Sequence, residues 1–237
     1  MFTLFLVVLG LQATQASQLA EAVSVSNAVV TRGTNGQDAV EFSVFNRSSV
    51  AVTAWETAID VTFADGSTRT WGLEHDGYAE FERARPSAGR FIPANANVSA
   101  RVPLGPSNVA VANVRLRLLW FVFADKSSFG DPAAIEQLFN RRDREYRALL
   151  LLSGILRAAA KTSDARDGIG HALASLKAPN QDDFDHSVKQ QMRRNLQAAH
   201  DRHPSITVSP EEFLRHWTTA IEAQLKAAEE HRRPKSR

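Results

Sequence analysis

The hydrophobic pattern of the chain changes its period at Gly130. Before this residue apolar and polar side chains alternate, which is typical of β-strands that bury one face. After it apolar side chains recur every three or four residues, which is typical of amphipathic helices. A chain that groups its strands before its helices favours an α+β fold. We therefore predict a sheet domain over residues 22–126 and a C-terminal α-helical domain of about four helices over residues 131–230.

The sheet part carries about seven short strands separated by turn-forming residues, which predicts an antiparallel immunoglobulin-like β-sandwich. Its apolar positions switch parity near Ala54, and one extra residue there, a β-bulge, would produce that switch. Asp65 and Gly66 separate two alternating runs and predict a hairpin turn. Trp55 is the expected central aromatic residue of the core. The inter-sheet disulfide of immunoglobulin domains is excluded because the chain has no cysteine.

The last predicted strand, residues 109–123, is apolar on both faces in its second half. Trp120 and Val122 fall on one face, and the odd-numbered apolar residues of the other are Leu119, Phe121 and Phe123. A strand that is apolar on both faces is covered on both faces. We therefore expect the helix that follows to cover the three odd-numbered residues.

The helical part has clear start signals at two places. Asp131 and Pro132 predict the cap and first residue of the first helix, and Ser209 with Glu212 forms a capping box before the fourth. The residues predicted on the buried faces are, helix by helix, Ile135, Leu138, Phe139, Arg142, Tyr146, Leu149 and Leu150; Ile169, Ala172, Leu173 and Leu176; Phe184, Val188, Met192, Leu196 and Ala199; and Phe213, Trp217, Ile221 and Leu225. Residues 231–237 are predicted to form a basic, disordered tail.

The first residues of the chain predict export. An apolar run over residues 2–11 is followed by a polar stretch that ends in small residues, the layout of a signal peptide over residues 1–16. No Lys or Arg precedes the run, which leaves open a misplaced start codon, an uncleaved first strand or a buried helix. No run is long enough to predict a transmembrane anchor. The expected location is therefore extracytoplasmic, either periplasmic or secreted.

Several segments of the sheet part carry a family resemblance: Phe45-Asn46-Arg47-Ser48, Val52-Thr53-Ala54-Trp55, residues 61–67, Val122-Phe123-Ala124-Asp125 and Gly130-Asp131-Pro132. Over residues 22–140 the chain resembles a group of uncharacterised secreted bacterial proteins. It is also similar, more remotely, to FxLYD-like immunoglobulin-fold modules of cell envelopes. The resemblance implies a fold and an extracytoplasmic setting, and it brings no catalytic residues.

No catalytic, cofactor or metal-ligating residue is predicted. His200 and His203, with His186 and His216, could offer nitrogens to a metal, but their spacing matches no zinc motif. We expect solvated histidines near helix ends instead. The other candidates have simpler interpretations. His75-Asp76 precedes a turn, Gly168-Ile169-Gly170 loosens a short helix, and the acids Asp182, Asp183 and Asp185 form the first turn of the third helix.

Two basic clusters stand in the helical part. Arginines 141, 142, 144 and 147 are interleaved with Asp143 and Glu145, which favours a solvated helix face with local ion pairs. The second cluster lies in the predicted tail, where Arg232, Arg233, Lys235 and Arg237 could touch an anionic envelope surface. Neither cluster predicts a nucleic-acid interface, because the formal net charge of the chain is only +2.

A long loop is predicted over residues 72–95, with aromatic residues among charges. Tyr78, Phe81 and Phe91 are the candidate partner-binding residues, since aromatic side chains dominate recognition surfaces. The alternative is an edge strand whose aromatic residues cap the sandwich. We therefore predict a non-enzymatic envelope interaction or assembly protein, whose partner is an envelope protein or surface polymer. The alternative is a hydrolase or metal-dependent enzyme with its site at the junction of sheet and helices.

Overall fold

The computed structural model describes residues 21–32, 37–78, 91–106, 108–176, 183–201 and 207–233, with the backbone alone described at 183–191. Antiparallel strands occupy the N-terminal part and helices the C-terminal part, so the predicted α+β class is confirmed. The chain divides into two compact units, Met1–Glu136 and Gln137–Arg237. Among the helices in the described ranges, none combines the length and apolar character that crossing a membrane requires.

The first unit contains two antiparallel sheets that contribute to one hydrophobic core. One sheet has the order β1-β2-β5 and the other the order β4-β3-β6-β7. The strands are β1 (Val23–Arg32), β2 (Asp38–Asn46), β3 (Val52–Phe63), β4 (Thr68–Asp76), β5 (Ala96–Gly105), β6 (Val111–Phe123) and β7 (Ser128–Gly130). Trp55 lies in this core as predicted, 3% exposed, with its ring stacked on His75 and edge-on to Phe42.

Two features of β3 confirm local predictions. The pairing of β3 with β6 shifts register between Val52 and Ala54, where the bulge was expected. The turn from β3 to β4 passes through Asp65 and Gly66, and Gly66 has a φ of 81°. Asp65 accepts hydrogen bonds from the hydroxyl and the backbone N–H of Ser67, which lower the pKa of its carboxyl group. The polar side chain therefore closes the turn that the glycine permits.

A second bulge, in β6, makes two parts of the prediction for this strand wrong: which residues share a face, and that the following helix covers the odd-numbered ones. Residues Glu56 and Thr57 of β3 pair with Trp120 and Leu118, so Leu119 is an extra residue on β6. From Val114 to Leu118 the even-numbered residues of β6 face the core, and beyond Leu119 the odd-numbered ones do. Phe121 and Phe123 consequently enter the same core that Val114, Leu116 and Leu118 contact. The odd-numbered phenylalanines are buried by the sheets themselves, and the opposite face of the strand end carries Trp120 and Val122, both buried.

Gly130 ends β7 in a conformation that other residues rarely adopt. Its φ is 113°, and a Cβ atom there would lie 2.1 Å from the carbonyl oxygen of Leu119. Gly130 pairs with Trp120, directly beside the bulge. A glycine is therefore required at the point where the hydrophobic pattern changes its period.

The second unit has four helices within the residues that the structure describes: α1 (Pro132–Ala160, which begins in the first unit), α2 (Ala165–Ser175), α3 (Asp183–His200) and α4 (Pro210–His231). Their shared core contains Leu149, Leu152, Leu156, Ala159, Ile169, Ala172, Leu173, Leu176, Met192, Leu196, Ala199, Phe213, Leu214 and Ile221. The predicted faces of α2 and α4 contribute to it as expected. The predicted Phe184 and Val188 belong to α3, but their side chains lie outside the described part.

The two predicted helix starts are confirmed, whereas the predicted buried face of the first helix is wrong at one residue. Asp131 accepts a hydrogen bond from the N–H of Ala133, and the capping box of Ser209 and Glu212 is complete. Helix α1 is longer than predicted, and Leu150 is 50% exposed rather than buried. The buried face instead continues from Leu149 to Leu152, because a step of three residues stays on one side of a helix and a step of one does not.

Helix α2 approaches the end of α1 closely at Gly168. A Cβ atom at this position would lie 2.4 Å from the carbonyl oxygen of Ala159. Asp164 caps α2 by accepting hydrogen bonds from the N–H groups of Arg166 and Asp167. The absence of a side chain at Gly168 thus sets the distance between the two helices.

Candidate functional site

Arginine side chains from two distant parts of the sequence line one groove in the helical unit. We call it the arginine groove; it has a volume of about 740 Å³ and is lined by Gln137, Asn140, Arg141, Asp143, Arg144, Arg147 and Arg232. All but the last lie between Gln137 and Arg147 of α1, where steps of three and four residues place them along one stripe. Arg232 follows the last residue of α4.

Arg232 is held in the groove by two neighbours on α1. Its Nε atom donates a hydrogen bond of 2.9 Å to Oδ1 of Asp143, and its guanidinium carbon lies 4.2 Å from the centre of the Tyr146 ring. The hydrogen bond to Asp143 is the main reason why the pKa of Arg232 is raised above its usual value. The next residue, Arg233, donates a hydrogen bond of 3.3 Å to the side-chain oxygen of Asn140. The end of α4 is therefore attached to α1 by side chains that line the groove.

The backbone explains how Arg232 reaches this position. Helix α4 ends at His231, and Arg232 adopts an extended conformation with φ −61° and ψ 163°. The chain therefore leaves the helical path at the residue that contacts α1. Arg232 and Arg233, which belong to the predicted tail, make defined contacts with α1. The other two basic residues of that tail, Lys235 and Arg237, lie outside the described residues.

The groove carries an excess of positive charge. Its lining holds four guanidinium groups and one carboxylate, a net charge of +3. Arg141, Arg144 and Arg232 are only partly exposed to solvent. Partial burial lowers the local dielectric constant, so the field of these charges is stronger than it would be on an open surface. A concave site with one sign of charge concentrates ions of the opposite sign.

The residues that line the groove are visible in the sequence as separate basic clusters, but the groove itself is not. Arg141, Arg144 and Arg147 were expected on a solvated face with local ion pairs, and Arg232 in a separate tail. Nothing in the local pattern indicates that they meet. Arg142, the fourth member of the first cluster, points elsewhere and is buried, with its guanidinium carbon 5.7 Å from the centre of the Phe139 ring. The available signal was the excess of arginines over acidic residues in this stretch of α1.

The predicted aromatic site is only partly within the described ranges. The rings of Tyr78 and Phe91 lie with their centres 4.8 Å apart, and both side chains are partly buried. Strand β4 extends to Asp76, so the first five residues of the predicted loop, 72–76, belong to a strand. Just beyond it, the backbone N–H of Tyr78 donates a hydrogen bond to the side chain of Asp76. Phe81 lies outside the described residues. A role of these aromatic residues in partner binding stays a prediction.

Of the four histidines considered as metal ligands, the structure describes the side chains of His200 and His216. Nδ1 of His200 lies 3.0 Å from a carboxylate oxygen of Asp201, and this contact is the main cause that lowers the pKa of Asp201. His216 lies edge-on to Trp217 on α4. His203 and the side chain of His186 fall outside the described part. Within the residues searched, no three histidine, aspartate or glutamate side chains form a group that could hold a metal ion.

Comparison with known proteins adds no functional information. No protein-family model and no curated protein matches the chain. A hypothetical protein from Peptoclostridium difficile 630 is similar to part of it, with 12% identity, a TM-score of 0.31, and coverage of 49% of this chain and 90% of that chain. The Northeast Structural Genomics Consortium target SoR45 gives 12% identity, a TM-score of 0.28, and coverage of 46% and 78%. These TM-scores are too low for either similarity to indicate what this protein does.

Proposed function

We propose that the protein is an exported, non-enzymatic envelope interaction protein that binds an anionic partner through the arginine groove. The single observation that carries this proposal is the meeting of Arg232 with the arginine stripe of α1. Arg141, Arg144 and Arg147 repeat at intervals of three residues along α1, and Arg232 joins them from the end of α4. Asp143 pairs with Arg232, and the lining as a whole keeps a net charge of +3. A concave site with this excess of positive charge favours the binding of an anion.

The character of the groove supports binding rather than a packing role. Long arginine side chains also serve to cover apolar surface. Arg232 does cover the Tyr146 ring, but the residues that line the groove itself are all polar or charged. Arg147 is exposed, and its Nε atom donates only a long hydrogen bond of 3.3 Å, to the carbonyl oxygen of Asp143. A charged, partly buried and largely preformed site is suited to an anion.

The envelope setting is proposed from the sequence. The apolar run over residues 2–11 and the small residues that follow it support export. The strand order supports the immunoglobulin-like prediction in part. In the constant-type immunoglobulin arrangement the fourth strand joins the sheet of the first, second and fifth strands. Here β4 pairs with β3 in the other sheet, so the proposed sandwich is a variant with three strands facing four.

Sedimentation of the full-length protein with envelope fractions tests the proposal. The groove variant is Arg144→Gln/Arg147→Gln, which removes two charges from the lining. The control variant is Arg193→Gln/Arg215→Gln, which removes two charges from exposed positions of α3 and α4 outside the groove. We expect the unaltered protein and the control to sediment with the envelope at low salt, and the groove variant to stay largely in the supernatant.

The test is completed by measuring how sedimentation depends on salt and whether the purified protein contains metal. Binding through exposed and partly exposed charges is weakened at about 1 M salt, where the screening length falls to about 3 Å. Equal sedimentation of the groove and control variants, with both folded by circular dichroism, would contradict the proposal. Stoichiometric metal in the purified protein, with loss of a hydrolytic activity after its removal, would favour the enzyme alternative instead.

A further inference from the structure

We infer that the ligand of the arginine groove is a linear chain of phosphate groups, and this inference rests on the proposed function. The shape of the groove is the first argument. From Gln137 to Arg147 the lining extends over eleven residues of α1, a length of about 15 Å at 1.5 Å per step. A single small anion would occupy only part of this length. A linear ligand with charges in a row would contact the whole stripe.

The distribution of polar groups along the stripe is the second argument. Gln137 and Asn140 place carboxamides at one end, and three arginines follow at steps of three residues, about 4.5 Å apart along the helix axis. Successive arginines in such a row face successive charges of a chain. The carboxamides suit the hydroxyl or ester oxygens that connect those charges.

The chemistry of arginine is the third argument. A guanidinium group presents its donors in a planar fork that matches two oxygens of a phosphate or carboxylate. Each phosphate offers more acceptor oxygens than a carboxylate, and a terminal phosphate carries close to two charges at neutral pH. With a net charge of +3, the groove matches a run of about three phosphodiester charges. Asp143 and Tyr146 hold Arg232 in place before the ligand arrives, which reduces the entropy lost on binding.

Two other anionic partners fit the groove less well. A membrane-binding helix combines basic residues with apolar ones that enter the lipid. The residues described in the groove lining include no apolar side chain, and the exposed Leu150 and Leu151 of α1 lie beyond Arg147, outside the lining. Proteins that bind single-stranded nucleic acid stack bases on aromatic side chains. No aromatic residue is among the described lining, and the nearby Tyr146 ring lies against Arg232. The chain is therefore recognised by its phosphates rather than by bases or acyl tails.

Titration calorimetry of the full-length protein with defined anions tests this inference. The probes are inorganic phosphate, pyrophosphate, tripolyphosphate and a short glycerol phosphodiester oligomer, with polyglutamate of matched charge as the carboxylate control. We expect affinity to rise by about tenfold or more from inorganic phosphate to tripolyphosphate, since each added charge-assisted contact contributes at least that factor. Tripolyphosphate represents a polyphosphate ligand, and the glycerol phosphodiester oligomer represents a phosphodiester polymer. The one that binds more tightly indicates which of the two ligands the groove recognises.

The variants assign the binding to the groove. Arg144→Gln/Arg147→Gln is expected to lower the affinity for the tighter phosphate chain at least tenfold. Arg193→Gln/Arg215→Gln removes the same charge and is expected to stay within twofold of the unaltered protein. Asp143→Asn removes the negative charge from the groove but leaves Arg232 with at most a weaker, neutral hydrogen bond in place of its ion pair. If preformed geometry matters, this variant binds more weakly despite its more favourable charge.

The outcomes separate this inference from the proposed function. If tripolyphosphate binds no more tightly than inorganic phosphate, or if polyglutamate binds as well as the phosphate chains, the phosphate-chain inference is overturned while anion binding stands. The same holds if the protein binds none of these soluble phosphate chains but does bind vesicles that contain anionic phospholipid, which serve as an additional probe. If the groove variant equals the control for every anion and for the envelope fraction, both fail.

Discussion

The substitution Gly168→Ala tests the packing of α2 against α1. The added methyl group would meet three backbone atoms of Ala159, the carbonyl oxygen at 2.4 Å, the carbonyl carbon at 3.1 Å and Cα at 3.4 Å. Backbone atoms of a helix cannot rotate away, so the two helices must separate. Overpacking of this kind costs about 1–3 kcal/mol. The gain from replacing glycine by alanine in a helix is at most about 1 kcal/mol.

The net expectation is a loss of about 1–2 kcal/mol from the free energy of unfolding of the helical unit. For a unit of this size, 1 kcal/mol shifts the melting temperature by about 4–8 °C. We therefore expect a melting temperature about 5–10 °C lower, measured by circular dichroism at 222 nm.

Gly154→Ala is the matched control, because it makes the same chemical change in a helix of the same unit. Gly154 is exposed on α1, and a Cβ atom there would meet nothing within 4 Å. Its replacement should raise stability by up to about 1 kcal/mol. The two substitutions thus have opposite expected signs. An equal gain in both variants would refute the close approach at Gly168.

Three further predictions concern other parts of the chain. Gly130→Ala combines a φ of 113° with a contact to backbone at 2.1 Å, so we expect it to lower stability by about 3 kcal/mol or more in urea unfolding, and an unchanged midpoint would contradict this. The Arg117 guanidinium, with the Thr70 hydroxyl, lowers the pKa of Asp60 to about 2. The stability from this contact is present above the ordinary pKa of 3.8 and is lost as the pH falls through about 2; Arg117→Gln should move the Asp60 titration, followed by carboxyl NMR, back towards 3.8. Finally, mass spectrometry of the protein isolated from producing cells should find a chain that starts at Ser17, as cleavage after Ala16 requires, and an intact Met1 would contradict the signal peptide.

The two bulges show which parts of the sheet could be predicted. Near Ala54, polar residues alternate with apolar ones on both sides of the irregularity, so the change of parity is visible in the sequence. Near Leu119 the strand continues as an uninterrupted apolar run to Phe123. An extra residue inside such a run leaves no mark on the pattern. The prediction consequently assigned Phe121 to the wrong face, although it correctly expected the residue to be buried.

In the helical unit, local features could be predicted from the sequence, but the candidate site could not. Capping residues and buried faces depend on residues a few positions apart, so the capping box at Ser209 and the face of Ile169 were predictable. The contact between Arg232 and Asp143 joins residues 89 positions apart. Its formation depends on how the helices pack, and no local pattern specifies that packing. The arginine groove therefore became visible only in the folded chain.

The division into two compact units has a practical consequence for following their unfolding. Of the four tryptophans, Trp55, Trp71 and Trp120 belong to the strands, whereas Trp217 belongs to α4. Indole emission from a Trp217→Phe chain would thus report on the sheets alone, while ellipticity at 222 nm follows mainly the helices. Denaturation midpoints that coincide for the two signals would mean that the units melt as one cooperative body, and separate midpoints would give each unit its own stability.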